Sequence, residues 1–340
     1  MHAHSLVRYT AAVAGSVLLL AGCGSSTGST TAAGGSSGSG GSGAKGTIGV
    51  SFDLLNAIRQ AEKSAIEKAA SSAGYKVVFD VADSDPQKQS SQIQDLIQTR
   101  RVSALIVIAQ DGQQIASSVS LAKAHKVPFV AIDRAVADQK DITFQITGDP
   151  VADGRASAAE FVDAAKSKPL KVLELVGALT DQNAIGRRDG FNQGLNGVAD
   201  ATVVSQVPTD WDPTQALDGA SNALQKNPDI NAIFIPSDFL LPSVQSALKS
   251  AGRLVPVGDP KHVFLVTIDG DQNGCKAMKD KTLDADIATP VDDFGRQAVS
   301  AIAAAQAGHA VSPASVQTKG LTLDQAGFAA TSAQVWGCAA

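Results

Sequence analysis

The chain has 340 residues, 44% of them hydrophobic and 18% charged, with a formal net charge of −5. That length accommodates two ordinary domains, the composition is that of a protein with packed cores rather than a disordered one, and no basic cluster marks a nucleic-acid footprint. Aromatic residues make up only 4%, so each tryptophan is worth placing.

Arg8, with His2 and His4, opens a weakly basic start, residues 11–20 form an apolar run too short to span a bilayer, and Leu20-Ala21-Gly22-Cys23 closes it with small residues. This segment resembles the leader of a bacterial lipoprotein. The resemblance implies a signal peptide over residues 1–22, cleavage before Cys23, lipidation of its thiol, and an extracytoplasmic protein anchored to the cell membrane. An ordinary secretory peptide that leaves a free Cys23 is the alternative. Residues 23–45 are almost wholly Gly, Ser, Thr and Ala, a flexible tether whose roughly 21 residues reach about 25 Å by random-coil scaling. In an exported chain Cys275 and Cys338 form an even pair in an oxidising compartment and are expected to bond, two free buried thiols being the alternative.

From Thr47 the chain alternates apolar runs with helical periodicity. Thr47 to Phe52 reads as a strand, and Ile58, Ala61, Ala65, Ile66 and Ala69 mark one face of a helix that ends at Gly74. Lys76 to Val81 is the second strand, followed by a helix carrying Ile93, Leu96 and Ile97; Ala104 to Ala109 is continuously apolar, as a central parallel strand should be. A helix over Gln113 to His125 leads to Pro128-Phe129-Val130-Ala131-Ile132-Asp133-Arg134, a strand buried on both faces that surfaces only at its carboxyl end. In an open parallel sheet ligands bind outside that end, so Asp133 and Arg134 become site residues. The plainer reading is a solvated ion pair worth under about 1 kcal/mol.

A second unit of the same kind is expected to open at Asp141 to Thr147. It continues with a helix over Val151 to Lys166, a strand over Lys171 to Val176, a helix over Asn183 to Asn196, and strands at Thr202 to Pro208, Ala232 to Pro236, Val263 to Asp269 and Ala285 to Thr289. The fold class is α/β, two doubly wound parallel-sheet domains with a cleft between them, a favoured place for a small ligand.

With that rhythm in place, the chain resembles the periplasmic binding proteins of the ribose- and xylose-binding type, the type I solute-binding lipoproteins of ABC transporters. The likeness runs from Ile48-Gly49-Val50 through Ile132-Asp133-Arg134, Arg187-Arg188-Asp189-Gly190-Phe191, Thr209-Asp210-Trp211-Asp212 and Thr267-Ile268-Asp269-Gly270. It implies a three-crossover hinge near Thr147-Gly148, Thr289-Pro290 and Lys319-Gly320. The amino-terminal lobe would then be 46–147 plus 291–319, and the carboxyl-terminal lobe 148–290 plus 320–340. It also implies that Asp133 and Arg134 clamp a sugar, that Arg187, Asp238 and Asp269 contact it from the second domain, that Trp211 stacks on it, and that Asp53 and Arg59 supply first-helix contacts. Ser237 stands where an Asn is usual, Thr289 where a Gln is usual, and Ala57 and Ile58 where ribose binders carry two Phe residues. A sugar hydroxyl both donates and accepts, so carboxylates and guanidinium forks can satisfy it completely, with charge-assisted bonds roughly twice as strong as neutral ones.

Other readings stand beside these. Phe52, at a strand end, could wall the pocket or fill the core; Trp211 could be core filler, and Arg187 a surface partner of Asp189. Asp269-x-Asp271-x-Asn273-Gly274, with Asp280 after it, copies a calcium loop, but such a loop lies between two helices and ends in Glu. No cofactor or metal is expected. The function expected is capture of a neutral monosaccharide or sugar alcohol of pentose or polyol size by a non-enzymatic, monomeric protein that delivers it to an ABC permease. The alternative is a sensor presenting its closed form to a membrane receptor or kinase. A glycosidase is disfavoured, because arginines beside the acids would keep both ionised.

Overall fold

The structure, a computed structural model, describes residues 44–137 and 140–338. The expected signal peptide, Cys23 and nearly all of the tether lie outside the described residues. Among the described residues no helix is long and apolar enough to cross a membrane.

The first sheet collects β1 (Thr47–Phe52), β2 (Lys76–Val81), β3 (Ala104–Val107), β4 (Phe129–Asp133) and β5 (Phe144–Gly148), linked by α1 (Ala57–Ala73), α2 (Pro86–Gln98) and α3 (Ala116–Ala124). Its strands β1, β3 and β4 are apolar on both faces because helices cover both faces, which is why they read as continuous runs rather than alternating ones. Ile48, Val50, Ile66 and Phe294 pack on one side, and Leu96, Leu105, Val107 and Phe129 on the other.

The second sheet collects β6 (Leu170–Val176), β7 (Ala201–Pro208), β8 (Ala232–Phe234), β9 (Phe264–Asp269) and β10 (Ala285–Ala288), linked through α4 (Pro150–Ala165), α5 (Gln182–Leu195), α6 (Pro213–Lys226), α7 (Leu241–Ser250) and α8 (Gln272–Lys279). On one face Phe191 stacks on Phe234 at 4.2 Å between ring centroids and meets Phe161 edge-on at 4.9 Å, arrangements that add roughly a kcal/mol each to simple burial. The chain then returns to the first sheet through α9 (Val291–Gln306) and β11 (Ser315–Thr318), and ends in the second with β12 (Leu321–Asp324).

Strand order is β2-β1-β3-β4-β5-β11 in one sheet and β7-β6-β8-β9-β10-β12 in the other, all parallel except β12, which pairs antiparallel with β10. Three strands depart from the sequence expectation, which opens the second unit with β5 and has no strand at β11 or β12. β5 belongs to the first sheet, where Thr143 locks it to β4 through bonds to both the N–H and the carbonyl of Phe129. β11 and β12 are short edge strands in which only Val316 and Leu323 supply an inward apolar signal.

Three of the helices begin with the same device. Asp85, Asp149 and Asp212 each precede a proline, accept bonds from the first-turn amides, and leave proline at a position that needs no donor. The crossings between sheets are laced together: Asp149 N–H donates to Thr318 O at 2.8 Å, Thr318 Oγ1 to Thr147 O at 3.2 Å, and Gly320 N–H to Asp153 Oδ1 at 2.8 Å. Cys275 and Cys338 are joined by a disulfide with Cα atoms 5.3 Å apart, which ties the end of the chain to α8. Asp271 caps the start of α8 and Asp280 its end, so the calcium-loop pattern is a short helix and not a loop.

Candidate functional site

Between the carboxyl ends of the two sheets lies a cavity of about 170 Å³. That is well under the roughly 300–1,000 Å³ of a pocket for a drug-sized ligand, so its occupant is small.

The wall from the first sheet is built on two strand ends. β1 stops at Phe52, Asn56 caps α1 by accepting the N–H of Arg59, and the first turn of α1 then projects Arg59 back across the end of β4. Arg59 Nε donates to Asp53 Oδ1 at 2.9 Å, Nη1 to Glu62 Oε2 at 2.9 Å, and Nη2 lies 2.7 Å from Asp133 Oδ2. Asp133 leaves β4 with φ at +58°, a left-handed conformation that a non-glycine residue holds only when its surroundings enforce it. Arg134 reaches Asp53 Oδ2 at 3.2 Å and donates to Gln110 O at 3.4 Å, leaving its Nε buried without a partner.

These contacts set the charges. Burial alone would raise Asp53, but Arg59 and Arg134 outweigh it and hold the carboxyl below its usual range. Burial would likewise lower Arg59, yet Asp53, Glu62 and Asp133 push it well above its ordinary value. Glu62, which faces one guanidinium and two other carboxylates, is pushed up by burial to about 8.

The opposite wall comes from the second sheet. Arg187, from α5, donates through Nη1 to Pro236 O and through Nη2 to Asp269 Oδ1, both at 2.7 Å. Burial would lower it, but Asp269 and Asp153 raise it. Asp269 ends β9 with φ at +122°, and its second oxygen accepts from Ser237 Oγ. Asp210 and Trp211 are both left-handed, which lays the indole against Gly177 so closely that a Cβ there would fall 2.2 Å from the ring. Trp211 Nε1 donates to Asp181 Oδ2 at 3.0 Å.

Arg59, Asp133, Arg134, Arg187, Trp211, Ser237 and Asp269 all line this one cavity. Four other expected residues do not. Asp53 lies one layer behind, as the shared acceptor of Arg59 and Arg134. Thr289 sits behind Asp269, 3.5 Å from its carboxylate. Phe52 is fully buried in the core and stacks on Phe79 at 5.8 Å, because the pleat turns the last residue of β1 inward. Asp238 is also fully buried: its Oδ2 accepts the N–H of Asp271 at 2.6 Å, and its carboxyl shares the space above Gly274 with that of Asp286, where a Cβ would lie 2.6 and 2.4 Å from the two side chains. The neighbouring Phe239 takes the cavity position instead.

Sequence reasoning passed over Leu54, Asn56, Asp181, Asn183 and Phe239, which line the cavity beside Ile58, the residue at a position where ribose binders carry Phe. Asn56 and Asp181 were recoverable, since each is the cap residue before a predicted helix and a cap sits at the strand-end rim.

Behind the second wall, burial and the carboxylates of Asp286, Asp271 and Asp269 raise Asp238 well above its usual range, and burial pushes Asp286 up to about 8. Both carboxyl groups are fully buried, Asp238 Oδ1 and Asp286 Oδ2 have no partner, and burial of two facing carboxyls favours the neutral form. Asp153, beside the crossings, is pushed up by burial to about 6 against the pull of Arg187.

A family model described as periplasmic binding protein domain matches residues 48–310. The ribose import binding protein of Bacillus subtilis is 33% identical over 75% of this chain and 80% of its own length. The xylitol-binding protein of Mycolicibacterium smegmatis is 27% identical over 68% of this chain and 64% of its own. Among solved structures, the binding component of the arabinose ABC transporter from Shewanella sp. ANA-3 superposes with a TM-score of 0.77 at 23% identity, covering 84% of this chain and 93% of that one. A galactofuranose binding protein does so with a TM-score of 0.75 at 18% identity, covering 83% and 95%.

Proposed function

This chain belongs to the periplasmic binding protein family, among the sugar-binding solute-binding proteins of ABC transporters, and from that premise we propose that it captures a neutral monosaccharide or sugar alcohol of pentose or polyol size in the cavity between its lobes. The observation that carries the reading is the charge pattern of the lining. Arg59, Arg134 and Arg187 stand against Asp133, Asp181 and Asp269, three cations to three anions, and each anion lies within 3.3 Å of one of the cations. Such a cavity has no net charge to offer an ion, but it presents donors and acceptors in pairs, which is what adjacent hydroxyl groups need.

Trp211 and Phe239, 6.0 Å apart, are the aromatic members of the lining, which Leu54 and Ile58 complete with aliphatic surface. A single ring face supports a furanose or an open-chain polyol over a pyranose held between two rings. The relatives' solutes, which include ribose and xylitol, are of the same size. The acids whose proton affinity is raised, Glu62, Asp153, Glu160, Glu174, Asp238, Asp271 and Asp286, lie outside the lining while the lining carboxylates are paired with arginine. This arrangement suits binding rather than acid catalysis.

In this proposal the lobes comprise 46–147 with 291–319 and 148–290 with 320–340, the three crossings act as a hinge, and closure around the solute presents the protein to an ABC permease. The protein acts as a monomer held to the outer face of the membrane by a lipid on Cys23 through the 23–45 tether. Thermal-shift screening of the unit from Ala44 onward against pentoses, hexoses and polyols tests it. A solute in hundredfold excess over its Kd should stabilise the protein by about 3 kcal/mol, and the absence of any shift across the panel contradicts the reading.

A further inference from the structure

Among the described residues, an ion pair joins the two walls of the cavity directly. Arg134 Nη2 from the first lobe lies 3.3 Å from Asp181 Oδ2 of the second. Both side chains are shielded, 16% and 9% exposed. Each is anchored on its own side. Arg134 is held by Asp53 and by the carbonyl of Gln110. Asp181 uses Oδ1 to accept the N–H of Asn183, which caps the helix that carries Arg187, and Oδ2 to accept the indole N–H of Trp211. One carboxylate therefore sets the start of α5, fixes the plane of the stacking ring and meets the guanidinium of the facing lobe.

We propose that Asp181 is a positioning residue that latches the two lobes together before solute arrives. The inference rests on the reading of the cavity as an interlobe solute site and adds how that site is regulated. A bond between two bodies that hinge apart exists only in the closed state, so it shifts the equilibrium toward closure by its own strength. Water and salt compete poorly for a pair this shielded. The solute then meets a partly assembled site, and its apparent affinity rises in proportion to the closed fraction.

Asp181→Ser separates the latch from the helix cap, because serine caps as well as aspartate but carries no charge and cannot reach the indole. Small-angle scattering of the solute-free unit Ala44–Ala340, compact in itself, is the readout. The wild-type protein should scatter as the closed form, and Asp181→Ser should show a larger radius of gyration that returns to the wild-type value at saturating solute, with apparent affinity about tenfold weaker. Identical solute-free scattering from the two proteins overturns the proposal. If the scattering differs but no polyhydroxy solute compacts the variant, the latch stands and the solute reading fails. Should Asp181→Ser not fold, Asp181→Asn decides, since asparagine also caps but removes the charge that meets Arg134: a solute-free radius of gyration larger than that of the wild type supports the latch, and an identical one overturns it.

Discussion

The two lobes solve one electrostatic problem in opposite ways. Each brings carboxylates to the carboxyl end of a buried parallel sheet, where charge is costly. The first answers with guanidinium: Arg59 and Arg134 interleave with Asp53, Glu62 and Asp133, holding Asp53 below its usual range, while burial pushes Glu62 up to about 8. The second wall has one arginine, Arg187, which pairs with Asp269, and behind it burial raises Asp238, Asp271 and Asp286, the last to about 8. The first wall is therefore a lattice of interleaved arginines and carboxylates. The second is an arginine clamp in front of a buried acid pair.

Removing the central cation from each wall should show the largest effect. Arg59→Ala removes the cation that Asp53, Glu62 and Asp133 share, leaving Arg134 on Asp53 alone, and should cost about 3–5 kcal/mol in urea unfolding. Arg187→Ala leaves Asp269 with Ser237 and Thr289 as donors and should unfold about 2 kcal/mol more easily while losing solute binding. Equal losses would mean that the two walls do not differ.

The next effect is in pH. Asp286 is ionised in the unfolded chain above about 4 and keeps its proton in the folded protein up to about 8. Folding takes up a proton in that window, so this group's contribution is favourable below the unfolded pKa and is lost as pH rises through the folded one. Glu62 acts with the same sign. The melting temperature should fall between about pH 5 and pH 8, and Asp286→Asn should flatten that fall by a few °C. An unchanged slope would place the proton elsewhere.

The smallest effect separates core from cavity. Phe52→Leu should lower stability by about 1 kcal/mol and leave solute affinity unchanged, because the ring faces Phe79 and not the ligand. A change in affinity would return Phe52 to the wall.

Much of this was legible in the residues. Strands such as Ala104–Val107 and Phe129–Asp133 announce themselves because burial on both faces forbids polar residues, and Asp133 with Arg134 follows from where such a strand ends. Sheet membership was less legible. β5 is locked to β4 by Thr143, a tertiary contact with no periodic signature, and β11 and β12 are four residues each at sheet edges. In the site, one-residue phase decided the errors. Ser237, Asp238 and Phe239 enter a tight helical turn that buries the acid and exposes the ring, the reverse of what polarity suggests. Asp181 and Asn56 were hidden by their other role as helix caps, since an Asp or Asn before a helix is fully explained without a ligand.

The central claim is that both walls hold one neutral solute, and isothermal titration calorimetry of the wild-type protein beside Arg134→Ala tests it most directly. The account predicts saturable one-site heat from a pentose, furanose-forming hexose or polyol, with Kd near a micromolar, about −8 kcal/mol, and no heat from a folded Arg134→Ala protein. The account is contradicted if no member of the panel gives heat, or if Arg134→Ala binds as the wild type does.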